Sequence, residues 1–424
     1  MSLFVDESDA RARDAADPLA SLRDRFYLIP DTIYMDGNSL GLLSRDAETS
    51  ILHALDQWKR LGIGGYAAGD PSWYYLGEEL GALMAPLVGA SADEVVATGT
   101  TTSNLHSLVT TFYRPHGERR QIVCTDLDFP SDRYALASDI SLLGGDPARD
   151  LIAVPSRDGR FVDEDAIIAA LTDDVALAVL PSVLYRSGQL LDIARLTAAA
   201  HARGIAIGFD CAHSVGAIPH EFDKWGVDFA FWCGYKYLNG GPGGLAGLYV
   251  NRQHHAMLPA LRGWWGYDKT RQFDMDPDFV AAGTAGSWQL TANPLFSAAA
   301  LRGSLAIIGE IGMPALRTRS LALTDYLITL LDDLAPLGYT NGTPRANERR
   351  GGHIAVEHPE AARITKALKA RGVVPDFRTP NVIRLAPIAL YTSYHDIWQT
   401  MRHLAAIVET GEYATLPPGR DLIA

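Results

Sequence analysis

The sequence predicts an α/β protein, with a large domain built on a mostly parallel sheet followed by a smaller α+β domain. Three observations carry that expectation. From about residue 90 to 250, β-rich runs such as QIVCTDL, ALAVLPSVLY, IAIGFD and FAFWC alternate with helical stretches such as EDAIIAAL and DIARLTAAAHARG, the pattern of βαβ units. From about residue 295 the chain turns to long helical runs and then a strand, helix, strand pattern ending in NVIRLAP. The 424 residues, 47% hydrophobic and 21% charged, suffice for a large core shared by two associated domains.

Each segment follows from local signals. The N-terminus, MSLFVDESDARARDAADP, is acidic and has neither a basic leader nor an apolar core, and no apolar stretch of about 18 residues occurs, so neither secretion nor membrane spanning is expected. Residues 1–60 read as an N-terminal arm and helix, in which YMDGNSLGLLS sets an Asp-Gly-Asn-Ser turn between an apolar strand and a helix. Residues 61–295 read as the large domain and 296–424 as the small one, with 345–352 as an exposed loop. Lys+Arg of 37 against Asp+Glu of 50 gives a net charge of −13, which disfavours a nucleic-acid or anionic-membrane surface and leaves room for a local basic pocket. Cys124, Cys211 and Cys233 lie in apolar runs without metal-ligand spacing, so buried free thiols and a reducing cytoplasm are expected.

The segment GIAIGFDCAHSVGAIP, with WGVDFAFWCGYKYLNGGPGG after it, brings an acid, a histidine and a lysine into one neighbourhood. Asp210 ends one buried β run and Lys236 follows the next, so adjacent parallel strands would deliver both to the sheet edge where ligands of open α/β sheets bind. A lysine amine that holds an aldehyde, and a carboxylate that keeps a pyridine nitrogen protonated, are the two groups pyridoxal-phosphate (PLP) chemistry needs. Spacing alone leaves open a solvated lysine and a helix-capping aspartate.

The same block, DxAHxxG then WGVDFAxWCxYKYLNxGxGGxAG, closely resembles kynureninases among the fold-type-I PLP enzymes. So do YMDGNSLGL, TTSNLHSLVTTFYRP, FPSDRYA, YRSGQ, LRGWWG and DFRTPNVIRLAPIALYTSYHD, in the same order and over nearly the whole chain. The resemblance implies a PLP-dependent enzyme with Lys236 carrying the cofactor as a Schiff base and Asp210 facing the pyridine nitrogen. It places Thr101 and Thr102, at a turn opening a helix, on the phosphate, where helix N-termini favour anions. Phe129 would stack on the ring with Ser131 and Asp132 behind it, and His213 would lie beside the ring. Tyr235 would reach the phosphate and supply a proton during turnover; it shares a site with Lys236 only if the strand is ending there. Trp264 would complete the phosphate site from the partner subunit of a homodimer with shared sites. Arg384 would grip the substrate's α-carboxylate, for which a bidentate guanidinium is suited, pointing away from the apolar face of its strand. Asn38, in the GNSLG turn, is the second substrate-side residue.

The chain departs from the family pattern on the substrate side. Ala292, between Thr291 and Asn293, falls where an Asn or Thr recognises the aryl ring. Leu184 replaces a polar residue, Pro181 a hydroxyl residue beside which Ser182 stands, and LGIGGYAAGDPSW lacks a histidine. Three readings follow: hydrolysis of the Cβ–Cγ bond of kynurenine or a substituted kynurenine to an anthranilate and alanine; β-elimination or decarboxylation-coupled deamination of another amino acid such as an S-substituted cysteine; and a non-catalytic protein that keeps the fold, against which Lys236, Asp210 and Arg384 all argue.

Overall fold

The computed structural model describes residues 6–419. In chain order its strands are β1 (Ile33–Tyr34), β2 (Val95–Ala97), β3 (Gln121–Thr125), β4 (Leu151–Val154), β5 (Val175–Pro181), β6 (Ala206–Asp210), β7 (Phe229–Trp232), β8 (Gly247–Val250), β9 (Thr340–Asn341), β10 (Ile354–Glu357), β11 (Val373–Val374), β12 (Asp376–Arg378) and β13 (Val382–Leu385). Seven of them form one sheet in the order β2-β8-β7-β6-β5-β3-β4. Strands β3 to β7 run parallel to their neighbours, and β8 is antiparallel to both β7 and β2. The expected βαβ alternation is therefore present, with an antiparallel edge added.

These strands are apolar on both faces because helices cover both. Along β7 the alternation is clean: Phe229 and Phe231 enter a core with Leu105, Leu108 and Leu136, from the helices Thr101–Phe112 and Pro130–Leu142. Ala230 and Trp232 enter the larger core with Leu80, Leu196 and Leu301, from helices on the opposite side. The second domain carries a four-stranded antiparallel sheet, β12-β13-β10-β9, packed on the helices Met313–Asp332, Ala361–Ala370 and Tyr394–Glu409.

The cores do not divide at 295/296. The helix Leu295–Ile311 belongs to the large core through Ala298, Leu301 and Leu305, and so do Met313 and Leu316, whereas the second core begins at Leu323. The division thus falls inside the helix Met313–Asp332, which runs continuously from one core to the other. The N-terminal arm spans both domains: the carboxylate of Asp14 accepts hydrogen bonds from the N–H groups of Tyr394 and His395 at 2.7 and 3.0 Å, while Leu22, Phe26 and Leu42 pack in the large core.

The 345–352 segment corrects a second expectation. Arg345 to Glu348 are exposed, but Arg350, Gly351 and Gly352 are buried. The Arg350 guanidinium is taken up by the Asp325 carboxylate at 2.5 Å and the Thr324 hydroxyl at 3.2 Å. Partners on a distant helix are what make that burial tolerable, and charge composition alone does not reveal them. The three cysteines are free and buried. Among the described residues no single helix is long and apolar enough to cross a membrane.

Candidate active site

Strands β6 and β7 are adjacent and parallel, and both end at the same sheet edge, with Asp210 in register with Phe231. After Trp232 the chain leaves the sheet, so Tyr235 and Lys236 sit in a loop and are free of strand alternation, which meets the condition set for their sharing a site. The N-terminal arm holds that loop from above: the Gly41 N–H donates to the Tyr235 carbonyl at 2.8 Å. A Cβ at Gly41 would come within 2.6 Å of the Lys236 carbonyl, so this approach requires glycine.

Lys236 Nζ lies 3.0 Å from Nε2 of His213 and 5.9 Å from the centre of the Phe129 ring. Below it three carboxyl groups meet. Asp210 accepts from the Ala212 N–H at 2.8 Å and lies against Asp132, and Asp128 accepts from the Thr125 hydroxyl at 2.5 Å. Burial raises all three above the usual carboxylate range: Asp128 to about 7, Asp132 well above it with the neighbouring acids adding to the effect, and Asp210 less freely because the Lys236 charge opposes. His213 is pushed well below its ordinary value, by burial first and then by the Lys236 charge, so its ring is neutral. Burial raises the Tyr235 phenol to about 12, which keeps its proton in place. Ser182, next to Pro181, donates to the Asp210 carbonyl at 2.9 Å and pairs with the Ser214 hydroxyl at 2.7 Å, steadying the turn after β6.

Thr101 and Thr102 open the helix Thr101–Phe112 as expected. The cap is Thr100, whose side chain accepts from the Ser103 N–H at 3.3 Å in a capping box. Thr101 and Thr102 are thus released from capping, and the first-turn N–H groups face outward for an anion. Thr102 and Ser131 pair through their hydroxyls at 3.2 Å, joining this helix to the one that Phe129 introduces. Phe129 is 42% exposed, its ring edge-on to Tyr185 at 5.3 Å, which leaves a face open to a flat partner.

Arg384 lies on β13, opposite in alternation to Ile383 and Leu385, which fill the small-domain core. It is 1% exposed and paired with Asp376, and it donates to the Tyr185 carbonyl at 2.7 Å and the Ser39 hydroxyl at 3.0 Å. Burial draws its guanidinium down to about 10, still charged at neutral pH, and its Nε has no partner among the described residues. Asn38, next to Ser39, is fully buried with both amide atoms unpartnered among the described residues. A buried amide left in that state costs about 1–3 kcal/mol, which points to a ligand or water as its partner. Trp264 is 49% exposed and packs on Trp265 and Phe273 of its own chain at 5.9 and 5.5 Å, without contact to Lys236. Asp128, Asp376 and His353 are site residues that motif reading missed; the first two stand inside the LDFPSD and DFRTPNVIR runs and were within reach of it.

The residues fit PLP by chemistry. The Asp210 carboxylate suits a protonated pyridine nitrogen, a free helix N-terminus suits a phosphate, an open Phe face suits the ring, and an amine stands between them. The other lysines offer no rival: Lys224 pairs with Glu221, Lys269 is held by Glu78 and the Tyr74 carbonyl, Lys59 is exposed, and Lys366 and Lys369 lie on Ala361–Ala370.

Residues 316–404 match the model of the kynureninase C-terminal domain. A kynureninase of Geobacillus thermodenitrificans is 55% identical over 98% of this chain and 97% of its own length, and one of Shouchella clausii 52% over 98% and 97%. The chain belongs to the kynureninase family. Solved structures agree on the fold: a mutant of C-DES, with glycine covalently linked to its PLP cofactor, superposes with a TM-score of 0.79 at 18% identity, covering 90% of this chain and 98% of that one. The apo cysteine desulfurase from Thermococcus onnurineus NA1 gives 0.78 at 17%, covering 92% and 98%. As a kynureninase family member the chain has the fold-type-I α/β architecture and is a PLP-dependent enzyme acting on a small amino-acid substrate.

Proposed function

We propose that Lys236 anchors PLP in this enzyme for hydrolysis of the Cβ–Cγ bond of kynurenine or a ring-substituted kynurenine, one water being consumed and an anthranilate and alanine released. The observation that carries this reading is the near full-length match to kynureninases at more than 50% identity, with Lys236, His213 and Asp210 gathered at one sheet edge. PLP supplies the electron sink for charge that develops at the substrate's Cα and Cβ. Asp210, with Asp132 sharing its proton, holds the pyridine nitrogen, and Phe129 covers the ring. Thr101, Thr102, Ser131 and Tyr235 hold the phosphate. Lys236, with its amine free, would remove the Cα proton, and the neutral His213 ring would receive a hydrogen bond from Nζ. Tyr235, kept protonated by burial, donates a proton as the product forms. Arg384 and Asn38 face the α-carboxylate.

The enzyme acts as a homodimer in which Trp264 and the 283–294 loop, Ala292 included, reach the partner's site. Support comes from an aromatic surface: Trp264, Tyr66, Tyr74, Tyr75 and Phe273 line a cavity of about 790 Å³, Trp264, Tyr75 and Phe273 exposed, and Ile63 at its rim is 84% exposed. The free buried thiols fit the cytoplasm as its compartment. Elimination from an S-substituted cysteine rests only on the substrate-side departures at Ala292, Leu184 and Pro181, since the likeness to C-DES at 18% identity is one of fold.

Purified holoenzyme given kynurenine, 3-hydroxykynurenine and a cysteine S-conjugate tests the reading. Equal yields of the anthranilate and alanine are expected from the first two. Pyruvate from the cysteine conjugate, with no anthranilate from either kynurenine, would overturn it.

A further inference from the structure

His353 follows the buried Gly351-Gly352 pair at the entry to β10. Its ring is fully buried, with both nitrogens unpartnered among the described residues, and it lies 5.6 Å from the His213 ring, tilted by 60°. His213 in turn has one engaged nitrogen, Nε2 at 3.0 Å from Lys236 Nζ, and one buried and unpartnered, Nδ1. The tautomer of such a ring is set by whatever its second nitrogen meets. For Nε2 to accept from the lysine amine, the single proton of neutral His213 must sit on Nδ1, and that N–H needs a buried acceptor.

We propose that His353 is a positioning residue of the hydrolysis, accepting from Nδ1–H of His213 directly or through one water and so keeping the Nε2 lone pair open to Lys236. A neutral imidazole carries one N–H and one lone pair, so His353 has an acceptor nitrogen to offer. The relay then reads Lys236, His213, His353, each donating to the next. The charged groups facing the two rings are Lys236, Arg384 and Arg378, the two arginines ion-paired with the buried Asp376. Burial and that field push both imidazoles well below their ordinary range, so both remain neutral and each offers one donor and one acceptor. A ring here without nitrogens would leave Nδ1–H of His213 unpaired and favour the opposite tautomer, which turns an N–H toward the lysine.

The inference rests on Lys236 carrying the cofactor, and its tests separate the two. In wild-type holoenzyme labelled with 15N-histidine, the His213 signals, assigned by their loss in His213→Gln, should show the Nδ1–H tautomer; the Nε2–H tautomer would overturn the proposal. This arm needs no folded His353 variant. In His353→Phe, the pH midpoint of the Lys236-linked cofactor absorbance should move by about one pH unit or more, a tenfold change in proton affinity. His353→Gln, which restores an acceptor, should stay within a few tenths of wild type. A folded His353→Phe enzyme with an unchanged midpoint would overturn the proposal, and wild-type protein whose cofactor is not on Lys236 would instead sink the underlying assignment.

Discussion

Asp128, Asp132 and Asp210 place three carboxyl groups on one end of the sheet, and the consequences are measurable group by group. For Asp128 burial raises the pKa from 3.8 to about 7. An acid raised on folding binds its proton more tightly in the native state, so its stabilising contribution is complete below 3.8 and is lost as pH rises through about 7. In cofactor-free protein, Asp128→Asn should remove a loss on the order of 4 kcal/mol between acid and neutral pH, read from urea unfolding of variant and wild type. Parallel pH profiles for the two would contradict the shift. Asp210 has a different role, as counter-charge to the pyridine nitrogen while other residues hold the phosphate. Asp210→Ala should therefore retain PLP with affinity weakened about ten- to hundredfold and lose turnover; a fully active variant would place the counter-charge elsewhere. Lys236 and Asp210 were legible in the sequence because Asp210 ends one β run and Lys236 follows the next. His353 was not, since nothing in RRGGH distinguishes a buried ring from a loop histidine until the small domain is folded against β6.

At the scale of elements, the phosphate end depends on how the helix Thr101–Phe112 begins. Because Thr100 and Ser103 make the capping box between them, Thr101 and Thr102 remain available. Thr100→Ala should cost about 1 kcal/mol of stability and weaken PLP binding by fraying the first turn. Thr102→Ala, outside the cap, should weaken PLP binding with little loss of stability. Titrating PLP against each variant alongside thermal unfolding separates the two, and equal stability losses would show that capping is shared. The alternating β and α runs were readable because strands covered on both faces are short and apolar, whereas the end of the large core was not. The helix Met313–Asp332 passes from one core to the other with no Gly or Pro after Pro314, the polar Arg317 to Ser320 lying within it, so its sequence holds no helix break where the domains divide.

At the scale of the whole molecule, the proposed homodimer with two shared sites gives Trp264 and its exposed aromatic neighbours something to pack against, across an obligate interface burying roughly 2,000 Å² or more. Mixing Lys236→Ala with Trp264→Ala subunits should then restore part of the lost activity, because one site of each heterodimer carries both residues and the other neither. Failure to complement despite demonstrated subunit exchange would return Trp264 to its own chain's pocket or to none. The most direct measurement bears on the amine itself: borohydride reduction of the holoenzyme, digestion, and mass spectrometry of the lysine peptides. The pyridoxyl phosphate adduct should appear on the peptide containing Lys236 and vanish in Lys236→Ala; an adduct on Lys269 or any other lysine, or one that survives in the variant, would contradict the account.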